Sequence, residues 1–328
     1  MPATNRSPAP PAPIHALSTM WSQGRFPREG LDGDHMHDFA DKTLELGFRH
    51  VEINYVIPPD GVELLLEHHI GVSSVHSPSP RVRMPDGRLS DAYNLAATDA
   101  EERRLAVERA QVTVDYAVRA GSPYIVVHLG GIGGEIFAEE RQLRRLYDEG
   151  ERDGEQVEAL RRRAAERRRE GAPAYLPNAE RSLAEIAEYA ARKGVAIGLE
   201  NRYHFHEFPG IDEMPELLDR YPPHVAGFWL DVGHAEVLDR LGFIPHTRWL
   251  DELALRCLGT HVHDVDGLAD HRAPGHGTAD WDHYAAKLPP QVPRILEINQ
   301  KIPEDQVAAA IPFLRRRGIL PPSPIRSP

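Results

Sequence analysis

Short apolar runs alternate with longer amphipathic segments along the whole chain, and this pattern predicts strands and helices in turn. The predicted strands are His15–Met20, His50–Tyr55, Gly71–His76, Tyr124–Leu129, Val195–Glu200, Val225–Asp231, Gly259–His263 and Arg294–Ile298. The predicted helices are Met36–Leu46, Gly61–His68, Glu101–Ala120, Ala179–Arg192, Met214–Asp219, Trp249–Arg256, Trp281–Lys287 and Glu304–Arg317. Such strict alternation indicates a parallel sheet whose strands are joined by helices.

Eight strand–helix units favour an α/β protein of the (β/α)8 TIM-barrel class. A doubly wound open sheet is the competing fold, but it carries a glycine-rich turn after its first strand, and none follows His15–Met20. The 328 residues leave room for a barrel with additions. We expect a disordered, Pro- and Ala-rich extension at residues 1–13, a single barrel domain at residues 14–320 and a tail at residues 321–328.

One segment interrupts the alternation. Residues 139–171 are dense in Arg and Glu and include RRRAAERRRE, which predicts a helical insertion after strand four. Glu and Arg four residues apart stabilise a solvated helix, which is the simplest interpretation. An oligomer contact and a lid over the barrel mouth are alternatives. A basic nucleic-acid surface is disfavoured because glutamates are interspersed among the arginines.

Composition narrows the class of protein. The 38 basic and 50 acidic residues give a net charge of −12, which argues against a nucleic-acid partner because phosphate binding depends on Lys and Arg. The single cysteine, Cys257, excludes an intrachain disulfide. The first residues lack the apolar core of a signal peptide, and no run approaches the ~18 apolar residues of a membrane span. We therefore expect a cytoplasmic protein.

Residue types that bind metals stand at the ends of six predicted strands. They are His76, His128, Glu200, Asp231 with His234, His261 with His263 and Asp264, and Glu297. In a TIM barrel these ends meet on one rim. Carboxylates and imidazoles crowded there would repel one another or lose solvation, and a divalent cation removes both problems. Nitrogen and carboxylate ligands without thiolate suit Zn²⁺, Mn²⁺ or Co²⁺, and a carboxylate-rich shell admits Mg²⁺.

The loop after strand seven adds further candidates. Residues 263–281 read HDVDGLADHRAPGHGTADW, a density of Gly, Pro, Asp and His that is typical of a tight loop with polar side chains turned inward. His271 is a further candidate ligand, with Asp270 beside it. The histidines expected at the surface or in loops are His204, His206, His224 and His246.

The motifs VHSP, VHLGG, GLEN, LDVGH, HVHDVDG, DHRAPGHG and ILEI resemble, in this order on successive strands, those of the xylose isomerase-like TIM-barrel superfamily. That group includes sugar isomerases and epimerases, inosose dehydratases and the endonuclease IV type of abasic-site nuclease. The resemblance covers nearly the whole predicted barrel and is nearest to the sugar phosphate isomerase/epimerase branch.

The resemblance to the epimerase branch implies a metal site and two catalytic residues. The implied ligands are Glu200, Asp231, His261 and Glu297. His261 matches the family's strand-seven motif His-x-x-Asp together with Asp264, so His263 would be an intervening residue. By the same resemblance, Glu200 and Glu297 would also serve as base and acid.

The endonuclease branch implies additional ligands. The matching positions are His76, His128, His234 and His271, which are candidates for further metal or for substrate. One departure stands out: the nuclease motif has an Asp two residues before its loop His, and this chain has Ala269. The sequence therefore puts a third metal site in doubt, unless Asp270 substitutes with a shifted loop.

The resemblance implies a divalent-metal-dependent sugar or sugar phosphate isomerase or epimerase that abstracts a proton beside the carbonyl. The alternatives are an endonuclease IV-like phosphoesterase and a keto-sugar or inosose dehydratase or lyase. We expect Zn²⁺ or Mn²⁺ as cofactor, with Co²⁺ or Mg²⁺ compatible. Arg202 and His263 are expected to bind substrate. The expected partner is a small carbohydrate, without a membrane or nucleic acid, and related epimerases form homo-oligomers.

Overall fold

The computed structural model describes residues 13–29 and 33–322. Its strands are β1 (His15–Ser18), β2 (His50–Ile53), β3 (Gly71–His76), β4 (Tyr124–Val127), β5 (Ala196–Glu200), β6 (Ala226–Asp231), β7 (Cys257–His261), β8 (Asp264–Asp266), β9 (Ala269–Arg272) and β10 (Arg294–Leu296). All but β8 and β9 form a closed parallel barrel in the order β1-β10-β7-β6-β5-β4-β3-β2. The predicted TIM barrel is confirmed, and each predicted strand is found within two residues at either end.

Ten α-helices occur in the described residues. They are α1 (Met36–Glu45), α2 (Pro59–Glu67), α3 (Ala100–Ala120), α4 (Ala138–Asp148), α5 (Glu155–Lys193), α6 (Glu213–Leu218), α7 (Val232–Arg240), α8 (His246–Leu253), α9 (Trp281–Lys287) and α10 (Glu304–Arg316). The sequence analysis missed α7, which starts directly after β6. The Asp231 side chain caps this helix by accepting a hydrogen bond from the His234 amide at 2.7 Å. No helix in this part of the chain is both long and apolar enough to cross a bilayer.

The Arg/Glu-rich segment differs from its prediction. It forms α4 and the first half of α5, and α5 runs on through Pro173 and Pro177. The separate helix predicted at Ala179–Arg192 is therefore the second half of one 39-residue helix. Buried side chains in both halves stabilise this continuous helix against the cost of internal prolines. Whether the segment is an insertion stays a prediction, as do the domain boundaries, and residues 1–12 and 323–328 lie outside the described part.

Helix α5 also holds the loop between β5 and α6. The Arg168 guanidinium donates hydrogen bonds to the carbonyl oxygens of Phe205 at 2.8 Å and Glu207 at 3.0 Å. It also forms an ion pair with Glu213 at the start of α6. Three contacts from one side chain tie this loop, which borders the barrel mouth, to the helix that precedes β5.

The barrel interior is filled by a small apolar cluster beneath the rim. Its members are Ala16, Val126, Trp229 and Ile295. The Trp229 indole lies against Gly198 of β5 and Gly259 of β7, where an added Cβ would come within 2.5 and 2.2 Å of the ring. Glycine is therefore needed on both neighbouring strands to admit the indole. The ring lies 5.7 Å from that of His261 and forms the floor under the rim.

Candidate metal centre

Four buried side chains meet where the barrel strands end. Glu200 ends β5, Asp231 ends β6, His261 ends β7 and Glu297 follows β10. Each offers one ligand atom, and these atoms lie within 4.8 Å of one another. None of the four residues is more than 3% exposed. The structure thus brings together the residues that the resemblance implies as ligands, which we call the quartet.

His261 lies at the centre of the quartet. Its Nδ1 is 3.1 Å from Glu297 Oε2, 3.2 Å from Glu200 Oε1 and 3.6 Å from Asp231 Oδ2. Burial would lower the pKa of this imidazole, but Glu297, Glu52 and Glu200 around it raise the pKa well above its usual value. Three buried carboxylates converging on one nitrogen need a positive charge between them.

The donor set of the quartet fits a divalent cation. Three carboxylates and one imidazole supply oxygen and nitrogen ligands without sulfur, a combination that suits Zn²⁺, Mn²⁺, Co²⁺ or Mg²⁺. Burial would raise the pKa of the Glu200 carboxyl, but the imidazoles of His128 and His261 hold it well below its usual range. Asp231 is likewise kept ionised, because His234 and His263 outweigh the effect of burial on its pKa. The carboxylates of Glu200 and Asp231 are therefore in the form that binds metal.

A second cluster adjoins the quartet through Glu200. The Nε2 atoms of His76 and His128 lie 3.2 and 2.8 Å from the same oxygen, Glu200 Oε2. These three residues also offer ligand atoms within 4.8 Å of one another. His76 is buried at the end of β3, and His128 follows β4 with its side chain 26% exposed. The cluster includes two of the additional positions implied by the nuclease branch.

A third cluster lies on the other side of the quartet. It consists of His234, Asp270 and His271, whose ligand atoms also lie within 4.8 Å of one another. Asp270 Oδ2 is 3.9 Å from His234 Nε2 and 3.5 Å from His271 Nε2. The backbone at His271 is left-handed (φ 51°), which turns the loop so that Asp270 faces the histidines while Ala269 is exposed. Asp270 thus offers the carboxylate that position 269 lacks, and a third metal site stays a prediction.

Three of these histidines share one hydrogen-bonding arrangement. Each donates its Nδ1–H to a backbone carbonyl and turns Nε2 toward a carboxylate. The carbonyls are those of Ser77 for His76 (3.1 Å), Asn201 for His234 (2.9 Å) and Glu297 for His271 (3.0 Å). A carbonyl bound to one ring nitrogen fixes the tautomer and leaves a lone pair on the other, as in metal-binding histidines.

Glu52 is a buried acid that the sequence analysis missed. It lies on β2, and its Oε2 is 3.0 Å from His261 Nε2 and accepts a hydrogen bond from Ser74 at 2.7 Å. Its signal was present, because an acid in the apolar strand HVEI resembles the pattern that identified Glu200 and Glu297. Glu52 differs in that it lies one residue before the end of its strand, whereas Glu200 is the last residue of β5.

The two residues predicted to bind substrate have different environments. Arg202 lines the cavity above the quartet and pairs with Glu207 at 2.8 Å, and its Nη1 has no hydrogen-bond partner among the described residues. His263 is fully buried instead. Its Nε2 contacts Asp231 at 3.0 Å, and its Nδ1 accepts from the His271 amide at 2.9 Å. Both ring nitrogens of His263 are thus occupied by the protein, and its role in binding substrate stays a prediction.

Asp264 has a different role from its neighbours on the rim. Its carboxylate accepts hydrogen bonds from the amides of Gly275 at 2.9 Å and Ala279 at 3.0 Å, and from the Trp281 indole at 3.2 Å. Asp264 therefore fastens the loop after β9 to the barrel, and it is not a member of the quartet.

Two cavities open at this rim. The main cavity, of about 300 Å³, lies over the quartet and is lined by residues of all three clusters. A second cavity of about 480 Å³, which we call the side cavity, lies between the loops that follow β3, β4 and β5. Tyr55, His128, Arg202 and Glu207 line both cavities, so the two are neighbours that share a wall.

Comparisons with known proteins agree with this architecture. Residues 40–317 match the sequence model of a family described as the xylose isomerase-like TIM barrel. A search of curated protein sequences gives no match.

Solved structures with the same fold include several sugar epimerases. A D-tagatose 3-epimerase-like protein is 20% identical, with a TM-score of 0.59 over 93% of this chain and 96% of the other. The 3-keto-D-glucoside 4-epimerase of E. coli is 16% identical, with a TM-score of 0.60 over 92% and 98%. The D-allulose 3-epimerase of Methylomonas sp. is 16% identical, with a TM-score of 0.59 over 94% and 99%. At these identities the comparison establishes a shared fold.

Proposed function

The chain belongs to the xylose isomerase-like TIM-barrel family. On that premise we propose that it is a sugar isomerase or epimerase that depends on a divalent metal ion. The observation that carries this proposal is the quartet, in which four buried ligand atoms lie within 4.8 Å of one another at the mouth of the barrel. The sugar epimerases among the proteins of the same fold support the choice of substrate class.

Glu200, Asp231, His261 and Glu297 would hold the metal ion. Zn²⁺ and Mn²⁺ fit this mixture of nitrogen and oxygen ligands best, and Co²⁺ and Mg²⁺ are compatible. When bound, the ion supplies Lewis-acid polarisation of a sugar carbonyl, which makes the neighbouring C–H more acidic.

The proton would be moved by Glu200 and Glu297. Both carboxylates line the main cavity, so a sugar lying there is within reach of each. The amide of Asn54 donates to Glu297 Oε1 at 2.7 Å and fixes this carboxylate, and its Oε2 faces His261. Return of the proton to the opposite face of the same carbon gives an epimer, and return to the adjacent carbon gives an isomer.

Metal-dependent phosphoester hydrolysis is a second candidate. It is favoured by the two further clusters, His76–His128–Glu200 and His234–Asp270–His271, which flank the quartet. Such ligand sets would allow more than one ion, and clustered ions neutralise the charge that develops on phosphorus. The net charge of −12 counts against a nucleic-acid substrate.

Two measurements on untagged protein test the proposal. Elemental analysis gives the metal content, and NMR in D₂O follows exchange of the C–H protons of ketoses. Bound metal together with exchange at the carbon beside the carbonyl supports proton transfer. The product distinguishes the reactions, since an isomer or epimer keeps the mass of the sugar and a dehydratase product has lost water. Two or three zinc ions with phosphoesterase activity and no exchange would replace this proposal with the second candidate.

A further inference from the structure

We infer that the natural substrate carries a second, uncharged sugar ring, which occupies the side cavity while the reacting ring lies over the quartet. The inference rests on the proposed function and deepens it, from a free sugar to a glycoside. It follows from the size of the side cavity, the way its walls are built and the polar atoms that line it.

The side cavity is large and adjoins the main one. Its volume of about 480 Å³ exceeds the 300 Å³ of the cavity over the quartet, and both lie in the size range of small-molecule sites. Tyr55 and His128 stand at the boundary, where their rings meet edge to face. A disaccharide would span this boundary with one ring on each side of it.

The walls of the side cavity are held by specific contacts. The Asn94 amide donates hydrogen bonds to the carbonyls of Gly131 at 2.9 Å and Gly133 at 3.2 Å, and so joins the loop after β3 to the loop after β4. At Gly130, φ is +88° and an added Cβ would lie 2.0 Å from Asn94 Oδ1, so only glycine permits this approach. The cavity is therefore preformed by two loops locked together.

Two nearly buried polar side chains border this space. Arg202 and His206 are each 8% exposed and line the side cavity. Arg202 Nη1 and His206 Nδ1 have no hydrogen-bond partner among the described residues. Arg202 Nη1 lies 4.0 Å from Glu200 Oε2, and sugar hydroxyls pair with polar side chains of this kind. His206, which is predicted at the surface or in a loop, lies in a loop but is buried.

The charges of the lining favour a neutral ligand. Arg202 is paired with Glu207 at 2.8 Å, and Asp91 is paired with Arg81 at 3.1 Å, so both formal charges are compensated. Burial lowers the pKa of His206, which keeps its imidazole uncharged near neutral pH. No lysine is among the described residues that line this cavity. A phosphate group would therefore lack a free cation there, whereas sugar hydroxyls can pair with neutral donors and acceptors.

The test compares D-fructose with its phosphate and with disaccharides that join a second ring to fructose. Dissociation constants are measured by calorimetry on metal-loaded protein for D-fructose, D-fructose 6-phosphate and the fructosyl disaccharides leucrose, palatinose and lactulose. We expect at least one disaccharide to bind about tenfold more tightly than D-fructose, because a second ring adds contacts inside a preformed cavity. Saturation-transfer NMR should then show contact between the protein and the protons of the second ring.

Variants locate the second ring. Ala92→Trp and Gly134→Phe place bulk in the side cavity from two different loops, and no atom lies within 4 Å of a Cβ added at Gly134. Each should bring the ratio of the disaccharide and D-fructose dissociation constants back toward one. Thr98→Trp is the matched control, since Thr98 is exposed in the same loop as Ala92 and outside the lining. It should leave the ratio at the wild-type value.

The outcomes separate the two proposals. If D-fructose binds and exchanges its protons but no disaccharide binds more tightly, or if the phosphate binds most tightly, the glycoside inference is wrong and the isomerase proposal stands. An unchanged ratio in both cavity variants also overturns the inference. If no ketose of the panel binds or exchanges, the proposed function fails, and the inference fails with it.

Discussion

Glu52 and His261 are joined across the barrel interior, with Oε2 of the carboxylate 3.0 Å from Nε2 of the imidazole. Both residues are fully buried, and Ser74 holds the same carboxylate oxygen at 2.7 Å. A carboxylate on Nε2 keeps a proton there and directs the Nδ1 lone pair toward the three acids of the quartet. Glu52 is therefore a positioning residue for the candidate metal centre.

Replacing Glu52 should weaken metal binding while the metal-binding residues stay in place. We expect Glu52→Gln to reduce the affinity for Zn²⁺ or Co²⁺ about 10- to 100-fold, because His261 loses its orienting charge. Competition with a chelator measures the affinity, and the absorption spectrum of the cobalt-loaded protein reports the ligand geometry. Ser74→Ala, which keeps the carboxylate, should have a smaller effect. Equal metal affinities in the wild type and in Glu52→Gln would show that Glu52 does not position His261 for metal binding.

Removing the charge of Glu297 should stop proton transfer and preserve the fold. Glu297→Gln keeps the shape of the side chain, and we expect proton exchange to fall by about 10²- to 10⁴-fold because an acid–base group is lost. NMR in D₂O measures the exchange, and thermal unfolding checks the fold. Glu304→Gln, an exposed position on α10, serves as control. Exchange at the wild-type rate in Glu297→Gln would mean that another group is the base.

Metal binding by the third cluster should depend on Asp270 and not on the residue at position 269. Asp270→Asn is expected to lower the metal content at saturating zinc, because His234 and His271 lose the carboxylate between them. Ala269→Asp should leave the content unchanged, since position 269 is exposed and faces away. Asp266→Asn in the same hairpin is the control, and elemental analysis of dialysed protein is the measurement. A higher metal content in Ala269→Asp would show that the loop follows the nuclease pattern.

The pair of Arg202 and Glu207 should make stability depend on pH. Burial would raise the pKa of Glu207, but Arg202 and His204 lower it to about 2. The pKa of a glutamate in the unfolded chain is about 4.3, so the ionised carboxylate of Glu207 stabilises the fold above that pH. This contribution is lost as the pH falls toward 2. Glu207→Gln should cost about 3 kcal/mol of unfolding free energy at pH 7 and about half of that at pH 3.

Urea unfolding at the two pH values measures this difference. Glu216→Gln on α6 is the control, because Glu216 is exposed. A loss in Glu207→Gln that is the same at pH 7 and pH 3 would contradict the assigned pKa.

The barrel and the convergence of strand-end residues on its rim could be predicted because both follow from periodicity, and the family resemblance then implied which four of these residues form the quartet. Each strand is a short apolar run bounded by polar residues, and parallel closure brings every strand end to one rim. Glu200, Asp231 and Glu297 are conspicuous as acids at the ends of apolar strands. Their convergence therefore requires only the order of the strands.

Features that depend on loop conformation could not be predicted. The orientation of Asp270 follows from the left-handed backbone at His271, for which the sequence has no glycine as a signal. The continuity of α5 through Pro173 and Pro177 depends on packing along both halves of the helix, which overrides the local preference of proline. The burial of His206 likewise depends on how three loops meet.

The bonds from Arg168 to the loop after β5 affect how loops could be exchanged between this protein and its relatives. TIM barrels acquire new specificities by exchange of single loops on a constant scaffold. Here the loop that carries Arg202, His206 and Glu207 has its anchor in a helix from the preceding unit. Glu140 of α4 also accepts a hydrogen bond from the Phe205 amide at 3.0 Å. A graft of that loop alone would arrive without its support, so the smallest transferable module spans residues 138–213. Recombination between relatives would have to transfer the fourth and fifth strand–helix units of the barrel together.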